Sequence, residues 1–353
     1  MSEELPDEAY AIALALLPEV GPATLRNVID ANPPRVAWEK FGDVSGEARA
    51  AVARQWQHHC DLGISILLRD NALYPNRLRD SLAPPAVLFC RGDPRVLSDK
   101  PTAALIGTRS PTRYGIGVAA QLATELSAAG VSVVSGLALG IDGAAHEGAC
   151  GAGAAPIGVV AGGLDAPYPR RHSRLWERVV QEGVIVSESP AGAKTEKWRF
   201  PVRNSLMAAL SDVVVVVESR HGGGSRHTVN AAIAGGIDVG AVPGSIRSAN
   251  SEGTNALLAE GAFVVSGVSD ILLALSRAGA DVTMPTQRRS KPESPGPVPE
   301  GEQQLYAALS PDPASLDELV RITGLDFAEL CGGLERLARA GLALDVGGWW
   351  QRV

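Results

Sequence analysis

Cationic and aromatic side chains alternate in residues 192–212, GAKTEKWRFPVRNSLMAALSD. Trp198 and Phe200 stand among lysines and arginines, and residues 165–203 hold eight Lys/Arg against five acids. An unpaired nucleic-acid strand needs both features, since its phosphates need cations and its bases need flat apolar faces to stack on. The alternative is that both rings belong to the core and the cations form only its rim. The spacing alone leaves the two interpretations open.

A second group of residues with chemical potential follows the apolar run TAALI. Gly107, Thr108 and Arg109 combine a flexible backbone, a hydroxyl and a forked guanidinium, which suit a bound oxyanion; the alternative is a surface arginine in a turn. Residues 115–120, GIGVAA, approach a dinucleotide fingerprint. The next strand, however, ends in Val-Ser-Gly at 134–136 without the acid that would hold a ribose. We therefore expect an anion site without a nicotinamide cofactor.

The stretch SGLALGIDGAAH at 135–146 offers a third possibility. Gly136 and Gly140 would let the backbone come close to a ligand. Asp142 and His146 are four residues apart and share a helix face, so they could act as an acid–base pair in a nucleotide or nucleoside-phosphate hydrolase. The pattern favours a helix cap and a buried imidazole instead. No nucleophile elbow accompanies the pair, and the spacing shows no third carboxylate for a metal.

These loops need a scaffold, and residues 73–277 supply it by alternating apolar runs with helical patterns. Continuous β-branched runs of this kind predict a parallel sheet covered on both faces, and ligands bind at the carboxyl edge of such sheets. The predicted strands are residues 102–107, 131–136, 156–162, 184–188, 212–219, 239–244 and 262–267.

The predicted fold is α/β: an extended Rossmann-like parallel sheet with a helical N-terminal domain and a small winged-helix C-terminal domain. The expected boundaries are 1–70 for the helical domain (SAM-like or helix-hairpin-helix), 71–278 for the Rossmann-like domain, 279–302 for a Pro/Ser-rich linker and 303–353 for the tail. In the tail, Ser315 with Glu318 and Asp326 with Glu329 predict capping boxes, and Gly347-Gly348 predicts a hairpin turn. The helix of the tail that would enter the DNA groove has Glu329 and Glu335 against Arg336 and Arg339 and so lacks surplus positive charge, which leaves a protein contact open as an alternative to DNA binding.

The bulk composition narrows the function classes. The formal net charge of -7 excludes a uniformly basic coat but leaves room for a local basic patch. The four cysteines form no CxxC pair, which argues against a metal knuckle or a disulfide framework. The start lacks a basic signal-peptide region, and no uncharged apolar run reaches about 18 residues. We expect a cytoplasmic protein without metal or cofactor.

Taken together, the loops resemble the DNA-processing protein A (DprA/Smf) family over about 190 residues. The matching motifs are YPNRLRD (74–80), LIGTRSPTRYG (105–115), SGLALGIDGAAH (135–146), GGLDAPYPRRHSRL (162–175), SESP (187–190), FPVRNSLMAALSD (200–212) and VPGSIRSANSEGTNALLAEGA (242–262). The resemblance implies a dimeric protein that binds single-stranded DNA without base preference. It further implies loading of the RecA recombinase in natural transformation or recombination, and no established catalytic activity.

The resemblance also implies a set of DNA-binding residues. They are the phosphate loop Gly107, Thr108 and Arg109, the pocket-lining Gly136, Gly140 and Asp142, and the basic and base-contacting Lys197, Phe200, Arg203 and Asn204. Thr108 replaces the family's usual serine and keeps the hydroxyl. Ser205 replaces an arginine and removes one cation. The loop GGGSRHTVNA departs from the family pattern, and its Arg226 is the expected substitute for the missing arginine.

Overall fold

The computed structural model describes residues 4–18, 20–42, 45–97, 100–282, 297–310, 313–345 and 348–352. The chain divides into two compact units, residues 1–284 and 285–353. The linker predicted at 279–302 falls largely outside the described residues, and so does part of the predicted Gly347-Gly348 turn. The domain boundaries proposed from the sequence stay predictions.

The first unit begins with four helices: α1 (Asp7–Ala15), α2 (Pro22–Ala31), α3 (Pro34–Phe41) and α4 (Gly46–Asp61). Proline occupies the first position of α2 and α3, where a missing N–H costs nothing, and the Ser45 hydroxyl caps α4 by accepting from the Ala48 N–H at 3.2 Å. The apolar sides of these helices share one core cluster with the sheet.

A nine-stranded sheet follows, in the order β1-β2-β6-β5-β4-β3-β7-β8-β9. Its strands are β1 (Ile64–Leu68), β2 (Val87–Gly92), β3 (Thr102–Gly107), β4 (Ser132–Ser135), β5 (Ile157–Val159), β6 (Val184–Ser187), β7 (Val213–Glu218), β8 (Asp238–Ala241) and β9 (Phe263–Val264). β3 to β9 run parallel, whereas β2 pairs antiparallel with both β1 and β6. All seven strands predicted from the sequence are confirmed.

The helical region is expected to extend to residue 70, but its last part is a strand, β1 (Ile64–Leu68). Gly63, with φ of +66°, ends the preceding helix, and the β-branched Ile64 and Ile66 then enter the sheet as an edge strand.

Helices cover both faces of the sheet: α5 (Asn76–Arg79), α6 (Arg113–Ala128), α7 (Ile141–Ala149), α8 (Ser173–Glu182), α9 (Arg199–Ala209), α10 (Ser225–Ala234), α11 (Glu252–Ala259) and α12 (Val268–Arg277). Successive β3 residues point to opposite faces, so Leu105 packs in the core cluster under α6, α7 and α12, and Ile106 packs in the cluster under α9 and α10. The chain builds outward from β3 in both directions, first through β4 to β6 and then through β7 to β9. The carboxyl ends of β3 and β7 therefore form the topological switch point at which α/β sheets bind ligands.

The second unit contains α13 (Gln303–Ala308), β10 (Ala314–Ser315), α14 (Leu316–Thr323), α15 (Phe327–Arg339), β11 (Ala343–Asp345) and β12 (Trp349–Arg352). Its sheet order is β10-β12-β11, and leucines from the three helices form its core. Both predicted capping boxes are present, at Ser315 and Asp326. The predicted fold class, including the winged-helix tail, is confirmed. Within the described part of the chain, no helix is long and apolar enough to cross a membrane.

Candidate nucleic-acid interface

An open groove with a volume of about 490 Å³ lies at the switch point between β3 and β7. Eight of the residues predicted to bind DNA line it: Gly107, Thr108, Arg109, Asp142, Lys197, Phe200, Arg203 and Asn204. The opposite wall comes from the loop after β7, through Arg220, Gly223 and Gly224, and from Ser225 and His227 in α10. Sequence reasoning thus brought together most of one wall. On the other wall it pointed to His227 as a possible anion contact but did not identify Arg220.

The loop after β3 is fixed in place by a buried carboxylate. Glu218, at the end of β7, accepts from the Thr112 hydroxyl at 2.5 Å and from the Thr112 N–H at 2.8 Å. The Thr108 N–H donates to the Glu218 backbone carbonyl at 2.8 Å. Arg109 is exposed at the tip of this loop, and no ion pair holds it among the residues described. The scaffold therefore presents one cation to solvent at a defined position.

Asn250 ties the two walls of the groove together. Its side-chain amide donates to the Ser110 carbonyl at 3.0 Å, and its amide oxygen accepts from Arg220 Nε at 2.9 Å. Sequence reasoning gave no signal for this residue, because its partners lie 30 and 140 positions away along the chain.

Gly140 brings the loop before α7 against the phosphate loop. Its φ is +88°, and a Cβ there would overlap the Thr108 carbonyl and lie 2.8 Å from Arg109 Cα. The neighbouring Ile141 N–H donates to the Thr108 carbonyl at 3.2 Å. Gly140 thus acts on the groove through the position of Arg109, and a side chain at this residue would displace that loop.

Arg203 and Asp142 form a pair under the floor of the groove. Each is only 6% exposed, and Arg203 Nη1 lies 3.8 Å from Asp142 Oδ2 while donating to the Val159 carbonyl at 3.1 Å. Burial raises the pKa of Asp142, and the Arg203 charge opposes this shift. Gly136 makes room for the pair, since a Cβ there would overlap the Arg203 guanidinium. A phosphate contact by Arg203 stays a prediction; its visible contacts are structural.

His146 lies inside the core and not in the groove. Its ring is fully buried, and neither ring nitrogen has a hydrogen-bond partner among the described residues. Burial lowers the pKa of His146 to about 4, so the imidazole is neutral at physiological pH. The acid–base hypothesis for Asp142 and His146 requires a ring that a substrate can reach. The structure contradicts that requirement, because the inward face of α7 carries His146 into the core.

The segment containing Lys197 and Phe200 supplies the aromatic part of the groove. The Arg109 guanidinium carbon lies 5.0 Å from the centre of the half-buried Phe200 ring, which is cation–π distance. Trp198 is 45% exposed, so the interpretation that both rings are core residues is wrong for it. Lys197 is exposed at the groove rim. A cation and a ring therefore meet where a nucleotide could bind both.

A second, smaller cavity, with a volume of about 80 Å³, borders Phe200. Arg109, Phe200 and Arg203 line both cavities, and Tyr168 lies across the second one with its ring centre 6.3 Å from that of Phe200. Tyr168 is 53% exposed and was missed by sequence reasoning. The two prolines that flank it were the available signal, since they predict an extended turn that presents the ring between them.

Arg226 does not line the groove. Its guanidinium makes a two-point ion pair with Glu260, at 2.7 Å and 3.1 Å, beside a separate depression bounded by His221 and Arg220. Asn204 does reach the glycine loop, where its side-chain amide donates to the Gly224 carbonyl at 3.4 Å. That Arg226 takes over the role of the arginine missing at Ser205 stays a prediction, and this role would require the ion pair with Glu260 to open.

Comparison with known proteins places these features in context. Residues 65–276 match the model of the DNA recombination-mediator protein A family, and residues 289–338 match that of the DprA winged helix domain. The chain is 37% identical over 223 residues to the DNA processing protein DprA of Bacillus subtilis. The matched region covers 63% of this chain and 75% of that protein.

Two solved structures are also similar. The X-ray structure of DNA processing protein A from Streptococcus pneumoniae has a TM-score of 0.64 and 27% identity, covering 77% of this chain and 98% of that one. A structure of DNA processing protein A from Helicobacter pylori, described as giving insight into its single-stranded DNA binding mode, has a TM-score of 0.54 and 32% identity. That match covers 61% of this chain and 96% of the other.

Proposed function

The chain belongs to the DNA recombination-mediator protein A (DprA/Smf) family, and on that premise we propose that the groove between β3 and β7 binds single-stranded DNA without base preference. Arg109 neutralises a phosphate, and Phe200 stacks an unpaired base. Gly107 and Thr108 let the backbone approach the strand, and Lys197 adds a second cation at the rim. Backbone charge and ring stacking are common to all four nucleotides, so this chemistry binds any sequence.

The observation that carries the proposal is the placement of the Arg109 guanidinium 5.0 Å from the Phe200 ring centre in an open groove. The Helicobacter pylori relative, described by its single-stranded DNA binding mode, supports the same ligand for this fold. Asp142, Gly136 and Gly140 act by holding this wall in position, and Arg203 acts chiefly by neutralising Asp142.

The wider role follows from family membership. The protein is a homodimer that loads the RecA recombinase onto the bound strand, in natural transformation or in recombination, and acts in the cytoplasm. It is a binding protein and not an enzyme. The burial of His146 supports this, because it removes the acid–base partner that the hydrolase alternative requires.

Fluorescence anisotropy with a labelled oligothymidylate of about 16 nucleotides tests the DNA proposal, with duplex as the comparison and salt at about 50 and 200 mM. Arg109→Gln should weaken binding to all sequences alike and reduce the slope of log affinity against log salt by about 0.7. Arg95→Gln is the matched control, because Arg95 is exposed at the opposite edge of the sheet. Equal binding by wild type and Arg109→Gln would contradict the proposal.

A further inference from the structure

The segment 194–203 holds a second aromatic–guanidinium pair besides the one in the groove. The Arg199 guanidinium carbon lies 4.3 Å from the centre of the Trp198 ring. Phe200 and its partner Arg109 line the groove, whereas Trp198 and Arg199 line a small cavity together with Pro22 of α2. The two rings therefore occupy different sides of the first turn of α9.

Trp198 differs from the tryptophans that build the core. Trp38 and Trp176 are 7% and 1% exposed, but Trp198 is 45% exposed. The exposed part of this ring is a flat apolar face on which an unpaired base can stack.

The ring is nevertheless held in one orientation. Its indole N–H donates to the Glu196 carboxylate at 2.7 Å, and the same carboxylate lies 3.8 Å from Arg199 Nε. Arg199 is itself anchored, since its Nη1 donates to the Ser189 hydroxyl at 2.8 Å. These contacts fix the indole before any ligand arrives, which lowers the entropy cost of stacking against it.

The charge around Trp198 suits a polynucleotide backbone. Lys194 and Lys197 flank it in the sequence, and both are exposed and have no ion pair among the described residues. A rigid aromatic plane between exposed cations is the arrangement by which single strands are bound through stacking and phosphate contacts.

We infer that Trp198 is a second stacking platform, which binds an unpaired base further along the strand than the base on Phe200. The strand leaves the groove, passes around the first turn of α9 and reaches the side of the molecule on which α2 lies. This inference rests on the proposed function. It adds that the binding site extends beyond the groove, so that affinity depends on strand length as well as on the groove contacts.

Two variants of Trp198 distinguish loss of the aromatic ring from loss of the indole fluorescence. Trp198→Ala should weaken binding of an oligothymidylate of about 16 nucleotides by roughly 5- to 150-fold, the equivalent of one stacked base, and should leave binding of a strand of about 4 nucleotides nearly unchanged. Trp198→Phe keeps an aromatic plane, so it should retain most of the affinity while removing the indole signal.

The decisive measurement is tryptophan fluorescence of the full chain during titration with the longer strand, with binding followed in parallel by anisotropy. The tryptophan fluorescence of wild type should be quenched when the strand binds. The control is Trp349→Phe, which removes a tryptophan that is 49% exposed in the second unit, and its fluorescence should be quenched as well. Trp198→Phe should bind but lose most of that quenching. Undiminished quenching in Trp198→Phe, with binding intact, would overturn the inference and leave the proposed function standing. Absence of wild-type binding by anisotropy would overturn both.

Discussion

Arg203→Met should destabilise the first unit far more than the loss of any exposed groove cation. Arg203 and Asp142 are each 6% exposed, and their nearest charged atoms are 3.8 Å apart. At an effective dielectric constant of about 20, that separation corresponds to roughly 4 kcal/mol of attraction. Methionine keeps the apolar stem of the side chain but leaves Asp142 buried without its counter-charge, and breaking buried pairs in this way costs about 3–5 kcal/mol.

The effect should depend on pH in a defined direction. Burial already raises the pKa of Asp142, and Arg203 is the main group that opposes this rise. Without Arg203 the pKa rises further, so the folded variant holds a proton that the unfolded chain releases. A group whose pKa is raised by folding contributes stability that is fully present below its pKa in the unfolded chain and is lost as pH rises through its pKa in the folded chain. The variant should therefore be less destabilised at mildly acidic pH than at neutral pH.

Thermal unfolding of the full chain provides the assay. A loss of about 3–5 kcal/mol in a unit of this size should lower its midpoint by roughly 10 °C. Arg109→Met is the control and should stay within about 0.5 kcal/mol of wild type, because Arg109 is exposed and unpaired in the described region. Asp142→Asn combined with Arg203→Met should recover part of the loss. An Arg203→Met midpoint equal to that of wild type, or a double variant no better than the single one, would refute the reasoning.

Three further predictions concern individual residues. Gly140→Ala and Gly130→Ala both place a side chain at positive φ, +88° and +84°, but only the Cβ at 140 clashes with the backbone of the phosphate loop. In denaturant unfolding Gly130→Ala should lose about 1–2 kcal/mol of stability and Gly140→Ala should lose more, and only Gly140→Ala should also weaken DNA binding by anisotropy. Burial lowers the pKa of His146 to about 4 in the folded chain, so the stability that the neutral ring contributes is present above the unfolded pKa and is lost as pH falls. Between about pH 7 and 4.5, the unfolding free energy of wild type should therefore fall by about 2–3 kcal/mol more than that of His146→Leu. Parallel curves of unfolding free energy against pH for the two proteins would contradict this. Arg226→Gln should weaken DNA binding less than Arg109→Gln in the same titration, because a carboxylate outside the groove holds its guanidinium.

The sequence predicts the sheet well where local pattern determines structure. The run DVVVVVES becomes β7, buried on both faces, because continuous β-branched residues have few other places to pack. β2 was not identified, since its short run VLFC fits a buried helix equally well, and its antiparallel pairing with β6 joins residues about a hundred positions apart. Local propensity carries no information about such a pairing.

The site shows the same division. Placing Arg109 at the carboxyl edge of the sheet needed only the position of its loop after a strand, and the structure has it there. The spacing of Asp142 and His146 correctly gave one helix, and the favoured interpretation of His146 as a buried imidazole is confirmed. The pairing of Arg226 with Glu260 depends on the side-chain directions in α10 and at the residue that follows α11, which periodicity does not specify.

Hydrogen exchange of the full chain with and without a saturating oligothymidylate tests the central claim most directly, because it locates the strand on the protein. The account predicts slower exchange in peptides covering 107–112, 136–142 and 194–204, which surround the groove, and little change in the second unit. Unchanged exchange in all three peptides, with protection confined to the tail or to β9 at the far edge of the sheet, would contradict it.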